Sequence, residues 1–253
     1  MRVDLQKASM WKRISAFLFD GILLSILAVA FAWLLTLALN YDGHNDRLQQ
    51  CYDDYESRYG VTFEITGQEY EALSQQDREN YDAAYQALTQ DDQVLYLYNL
   101  VVNLTLVITT IGILLAYLVL EFVVPLLLGN GQTLGKKVFS LGLMRTDGVR
   151  INAMQLFVRT VLGKFTIETM IPVYVLIMLF FNTVGLAGTL LLAALLLTQI
   201  IMMAVTRNRT AIHDLLAGTV AVDISSQRIF SSTDELIAYT KRIAAEEAKR
   251  KPY

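Results

Sequence analysis

ISAFLFDGILLSILAVAFAWLLTLAL, residues 14–39, carries a single charged residue, Asp20, in a run long enough to cross a bilayer. Roughly 20 apolar residues span the hydrocarbon core, so this stretch crosses it with some tilt. A carboxylate at that depth costs roughly 2.5–3.5 kcal/mol on insertion scales and marks a functional site by default. Arg13 stands almost two helical turns before Asp20, and therefore on the same face.

Working outward, three further apolar runs follow. The second covers residues 95–128, the third begins near Phe165 and ends near Phe181, and the fourth runs from about Val184 to Val205. Asn182 and Thr183 leave room only for a tight connection, so residues 165–205 read as a transmembrane hairpin. The expected architecture is an all-α membrane protein, a four-transmembrane-helix bundle. It carries an extracytoplasmic helical insertion (residues 40–94) and cytoplasmic interfacial segments (residues 129–164 and 206–253). The first span is too long for the apolar region of a signal peptide and has no small-residue cleavage site, so it reads as an uncleaved helix.

The chain has 253 residues, 54% of them hydrophobic, and a net charge of only −3. That average hides a segregation. Residues 40–93 hold thirteen acids and three bases, whereas residues 1–13 hold four bases and one acid. Arg2, Lys7, Lys12 and Arg13 precede span one. Lys136, Lys137, Arg145, Arg150, Arg159 and Lys164 lie between spans two and three, and Arg207 and Arg209 follow span four. The tail adds Lys241, Arg242, Lys249, Arg250 and Lys251. Positive charge in short loops sets orientation, so both termini are expected in the cytoplasm of a multi-pass protein of the cell membrane.

In the acidic segment, Tyr81, Ala84, Tyr85 and Leu88 repeat at the spacing of one helical face, as do Leu48, Tyr52, Tyr55 and Tyr59 before a stop at Gly60. A helical hairpin is expected there. It is either a plain solvated hairpin, a cation-attracting vestibule or a surface that docks an extracytoplasmic protein partner. The single cysteine, Cys51, excludes an intramolecular disulfide.

After span two comes GNGQTLGKKVFSLGLMRTDGVRIN, residues 129–152. It fails as a phosphate loop, because Asn130 stands where the pattern needs glycine and Lys137 where it needs Ser or Thr. It reads instead as an interfacial segment, with Asp147-Gly148 as the tight turn of a small hairpin. A second such segment, RNRTAIHDLLAGTVAVD (residues 207–223), places His213 and Asp214 at a helix start and Gly218 at its end. From Ser231 the tail reads as an amphipathic helix capped at Ser232 or Thr233.

Three of these places resemble the RDD family of bacterial and archaeal membrane proteins. KRISAFLFDGILL, residues 12–24, is similar to the family's opening arginine and aspartate, Arg13 and Asp20 here. GQTLGKK, residues 131–137, resembles its glycine- and lysine-containing segment: Gly131, Gln132, Gly135, Lys136 and Lys137. RTAIHDLLAGTVAV, residues 209–222, is similar to its closing His-Asp segment, with Asp214 the candidate second aspartate. The resemblance implies a transporter, with monovalent cation/proton exchange, an antiporter activity, as its sharpest version.

Glu121 and Glu168 also lie in predicted spans, each four residues before a proline, Pro125 and Pro172. Proline lacks an N–H and clashes with the carbonyl at i−4, so each acid sits at an expected kink whose freed carbonyl can join a carboxylate around a cation. The candidate ion- or proton-binding residues are Arg13, Asp20, Glu121, Glu168, His213 and Asp214. Each has a plainer reading. Asp20 can pair with Arg13 or another cytoplasmic base, Glu121 with Lys164 or Arg159, and Glu168 with Lys164, while His213-Asp214 can be a helix cap.

No nucleophile triad, metal-ligand spacing or nucleotide fingerprint appears, so no enzyme activity, cofactor, metal or nucleic-acid partner is expected. Four helices are few for a pathway. Ala28 with Ala32, and Gly185 with Gly188 and Thr189, supply small faces for a homo-oligomer within the bilayer. The competing expectation is a non-transporting membrane adaptor or assembly factor whose acidic segment docks a partner.

Overall fold

The computed structural model describes residues 8–180, 183–206 and 210–250. Arg2, Lys7, Arg207, Arg209 and Lys251, counted above as loop charge, lie outside the described residues, as do the side chain of Arg250 and the hairpin residues Phe181 and Asn182. In chain order the elements begin with α1 (Met10–Ala38), α2 (Tyr41–Tyr59), α3 (Gly67–Ala72), α4 (Gln75–Gln90), α5 (Asp92–Leu128) and α6 (Leu134–Val138). Then come β1 (Leu141–Arg145), α7 (Ala153–Phe180), α8 (Gly185–Val205), α9 (Ile212–Ala217), β2 (Thr219–Asp223) and α10 (Thr233–Arg250). Helices α1, α5, α7 and α8 are long and apolar enough to cross a membrane. Their large apolar side chains stay exposed, Phe17, Leu127 and Leu186 among them, as a lipid-facing surface requires.

The third span starts at Ala153, not near Phe165. Asn152 caps it, its side chain accepting the Gln155 N–H at 2.7 Å. Arg159 and Lys164 broke the apolar run on paper. In the fold both are buried and paired, so they are helix residues rather than loop charge.

Two stretches of these spans are π-helical: Leu118–Val123 in α5 and Val158–Met170 in α7. Each lies just before one of the prolines for which a kink was expected. The helix widens by a residue per turn there, so the N–H groups of Val124 and Ile171 reach back to Val119 and Thr166.

The chain divides into two compact units. The unit Ala30–Gly112 contains residues 40–94, which are mainly helical, with α2 packed against α4. Gly60 ends α2 in the left-handed conformation at φ 68°. Thr66 and Ser74 cap α3 and α4, accepting the N–H groups of Glu69 and Asp77. Leu48, Leu88, Val94, Leu97 and Val101 form its core, with Tyr52, Tyr55 and Phe63 packed against them. Tyr81 joins through ring contacts to Phe63, Tyr70 and Tyr85.

In the second unit, Met1–Val29 with Ile113–Tyr253, Leu24, Tyr117, Phe165 and Met170 pack α1, α5 and α7 together. The turn at Asp147-Gly148 is present, with the Gly148 N–H donating to Arg145 at 3.0 Å. The small hairpin is present in its shortest form, an antiparallel bridge between Met144 and Arg150 with the Arg145 N–H donating to the Val149 carbonyl at 2.8 Å. On its other edge β1 pairs antiparallel with β2, Leu141 opposite Asp223 and Arg145 opposite Thr219. Met144, Val220 and Val222 form one apolar cluster that holds the two strands together. Ser232 caps α10, accepting the Glu235 N–H at 3.2 Å. Tyr239 of that helix packs on Phe230, with Arg228 over both rings.

Candidate functional site

Asp20 is 9% exposed on α1, and its partners come from the glycine- and lysine-containing segment. The Thr133 hydroxyl donates to Asp20 Oδ2 at 2.5 Å and the Gly135 N–H to Oδ1 at 2.7 Å. Thr133 also caps α6, accepting the Lys136 N–H at 3.3 Å. Gly135 is glycine for a steric reason. A Cβ there would lie 2.5 Å from the Ala16 carbonyl oxygen and 2.9 Å from the Asp20 carboxylate. The motif is therefore a carboxylate receptor fitted to α1.

Lys136 carries the network onward. Its Nζ lies 4.0 Å from Asp20 Oδ2 and 3.7 Å from Glu121 Oε2. Burial pushes this ammonium down to about 8. Glu121 and Asp20 pull it up, and Lys164 and Arg159 push it further down. Glu121, in the π-helical turn of α5, also pairs with Lys164 through Oε1 and lies 3.8 Å from Arg159 Nη1 through Oε2. Its main-chain carbonyl, which Pro125 cannot engage, accepts the Thr160 hydroxyl at 2.8 Å. The carbonyl expected to be free for a cation is thus satisfied by a side chain of α7.

Arg159 joins this half to the His-Asp segment. Its Nε donates to Asp214 Oδ1 at 3.0 Å, and Arg13 Nη2 approaches Asp214 Oδ2 at 3.5 Å. Burial alone would raise the Asp214 carboxyl. Arg159, with Arg13 beside it, overcomes it and holds the group well below the usual carboxylate range. The side chain also accepts the Thr219 hydroxyl at 3.1 Å and the Ala211 N–H at 3.5 Å, so the capping reading holds as well. His213 is lowered, first by burial and then by Arg159, against Asp214 and Glu168. A neutral imidazole follows, with Nδ1–H donating to Glu168 Oε2 at 2.7 Å. The first N–H groups of α9, which have no intrahelical acceptor, go to Gln199 Oε1 (from Ile212, 3.2 Å) and Glu168 Oε1 (from His213, 3.0 Å).

All six candidate residues therefore meet in one buried network, together with Lys136, Arg159 and Lys164. Four carboxylates (Asp20, Glu121, Glu168, Asp214) face four cations (Arg13, Lys136, Arg159, Lys164), a neutral sum when Lys136 is protonated and His213 uncharged. Two expected pairings are replaced. Arg13 reaches Asp214, while Asp20 is held by Thr133 and Gly135 and takes another base, Lys136, at 4.0 Å. Lys164 reaches Glu121, and Glu168 takes His213, because the π-helical turn breaks the i, i+4 geometry.

Gly131 and Gln132 shape the segment rather than the network. A Cβ on Gly131 would meet Ile151 at 2.7 Å, and Gln132 donates to the Leu141 carbonyl at 2.8 Å. Lys137 is exposed. Thr133, Thr160 and Thr219 were missed from sequence. Only Thr133, inside the quoted motif, offered a signal.

The model of the RDD family matches residues 7–218, a range that takes in the first two motifs, the third as far as Gly218, and every member of the network. No curated protein and no solved structure gives a significant match. The chain belongs to the RDD family.

Proposed function

We propose that this membrane protein exchanges a monovalent cation for a proton, with Lys136 carrying the proton and Asp20 and Glu121 receiving the cation. The observation that supports this is the position of Lys136 between two buried carboxylates. Glu121 Oε2, one of the oxygens it faces, has no hydrogen-bond partner among the described residues. With Lys136 protonated the network sums to zero. With Lys136 neutral it carries one uncompensated negative charge, in a setting where desolvation makes such a charge costly. A monovalent cation restores neutrality, so cation and proton compete for the same pair of carboxylates. One-for-one exchange follows from that competition.

The ammonium at about 8 places the competition near the pH of a cell interior. The reading takes the protein as a homo-oligomer in the cell membrane, with both termini cytoplasmic.

The test is reconstitution in liposomes, following internal pH as sodium, lithium or potassium is added. Cation-dependent proton movement is expected in the wild type and lost in Lys136→Gln and in Asp20→Asn. A folded Lys136→Gln protein exchanging at the normal rate would overturn the assignment. Absence of flux in every verified, folded sample would favour an adaptor role for the acidic insertion.

A further inference from the structure

The turn that leaves α5 runs through Gly129, Asn130 and Gly131, three successive residues at positive φ (75°, 50° and 60°). Its carbonyls are in use: Gly129 accepts the Gln132 N–H at 3.1 Å and Asn130 the Leu143 N–H at 2.8 Å. Among the described residues, the N–H groups of Asn130 and Gly131 have no acceptor. Arg150 lies over the turn, close enough that a Cβ on Gly129 would sit 3.0 Å from its Nη2. Arg145 is neutralised by Asp147 at 2.7 Å, but the Arg150 guanidinium has no counter-ion or hydrogen-bond acceptor among the described residues. A cavity of about 40 Å³ lies here, lined by Pro125, Leu126, Asn130, Gly131, Arg150 and Asn152 among others.

Successive main-chain N–H groups in a left-handed turn form a concave anion site, and a guanidinium fork matches phosphate oxygens. The depth of the cavity favours one source for the anion. Pro125 and Leu126 belong to the last turns of one membrane span, and Asn152 directly precedes the next. The cavity thus lies where two spans leave the hydrocarbon, the level of lipid headgroups, and Leu127 beside it is 80% exposed. We propose that Arg150 and the turn at residues 129–131 bind the phosphate of an anionic phospholipid headgroup. This site is separate from the ion-pair network and does not depend on the transport reading.

The full chain in detergent, titrated with phosphatidylglycerol, phosphatidylcholine or inorganic phosphate while its unfolding midpoint is followed, tests this. Phosphatidylglycerol is expected to raise the midpoint in the wild type more than phosphatidylcholine does. Its apparent affinity should fall about tenfold in Arg150→Gln, the loss of one charge-assisted pair. Arg150→Lys should keep part of the effect, and Arg145→Gln, whose arginine is already paired, all of it. An equal phosphatidylglycerol response in the wild type and in folded Arg150→Gln would overturn the site. A response matched by inorganic phosphate alone would overturn the lipid as its source.

Discussion

The Thr160 hydroxyl of α7 donates to the Glu121 main-chain carbonyl of α5 at 2.8 Å, the carbonyl that Pro125 leaves without its usual N–H. Both groups are buried, so removing the donor strands an acceptor where no water replaces it. Thr160→Val, nearly the same shape, is expected to cost about 1–3 kcal/mol. Thr160→Ser should cost much less. Unfolding midpoints of the two purified variants decide the matter, and equal losses would point to packing rather than to the hydrogen bond.

Gly163 lets α7 and α9 approach closely. A Cβ there would lie 2.5 Å from the His213 Cβ and 2.7 Å from its Cα. Main chain cannot yield as a side-chain tip does, so α9 must shift and His213 with it. Gly163→Ala is expected to destabilise by about 1–3 kcal/mol, as overpacking does. It should also loosen the His213–Glu168 bond. A changed 15N resonance of the His213 ring, with that of His44 unmoved, would report this directly.

The first of these sites was half legible in the sequence. Asp20, Glu121 and Glu168 announce themselves because a carboxylate in an apolar run needs a reason, and Pro125 and Pro172 signal a disturbed helix. Their partners do not announce themselves. Arg159 and Lys164 read as loop charge because periodicity counts them as a break in the apolar run, yet ion pairing lets the helix continue through them. The choice of partner at Lys164 depends on a π-helical turn, which no residue pattern encodes. The β1–β2 pairing joins strands separated by α7, α8 and α9, and neither strand is longer than five residues. Such a pairing is fixed by the burial of Met144, Val220 and Val222, a tertiary fact that a local turn signal at Asp147-Gly148 does not reveal.

At the end of β2, Asp223 accepts from Lys12 at 2.6 Å and from the Ser225 hydroxyl at 2.5 Å, and these bonds hold its carboxyl down at about 2. An aspartate in the unfolded chain titrates near 3.9, so the unfolded state takes up the proton first. The stabilisation is therefore complete above about pH 4 and is lost as pH falls towards 2. Asp223→Asn should flatten the pH dependence of the unfolding midpoint in that window and leave its slope above pH 5 unchanged. A variant that tracks the wild type from pH 5 to pH 2 would show that the pair contributes nothing.

The Arg159 guanidinium faces both the His-Asp segment and Glu121, with Nε 3.0 Å from Asp214 and Nη1 3.8 Å from Glu121. It is 2% exposed, so its removal leaves two carboxylates short of a cation where solvent does not compensate. Breaking one buried pair costs about 3–5 kcal/mol. Arg13 still faces Asp214, and Lys136 and Lys164 still face Glu121, so Arg159→Gln is expected towards the lower end of that range. Arg159→Lys keeps the charge but not the fork, and should fall between Arg159→Gln and the wild type. The cycle with Asp214→Asn separates the pair from the rest. If the two carboxylates share the guanidinium, the double variant should lose less than the sum of the single losses, by about 0.5–3 kcal/mol. Additive losses would mean that Arg159 acts on Asp214 and Glu121 only through general packing, and the continuity of the network from Arg13 to Asp20 would fail at this residue.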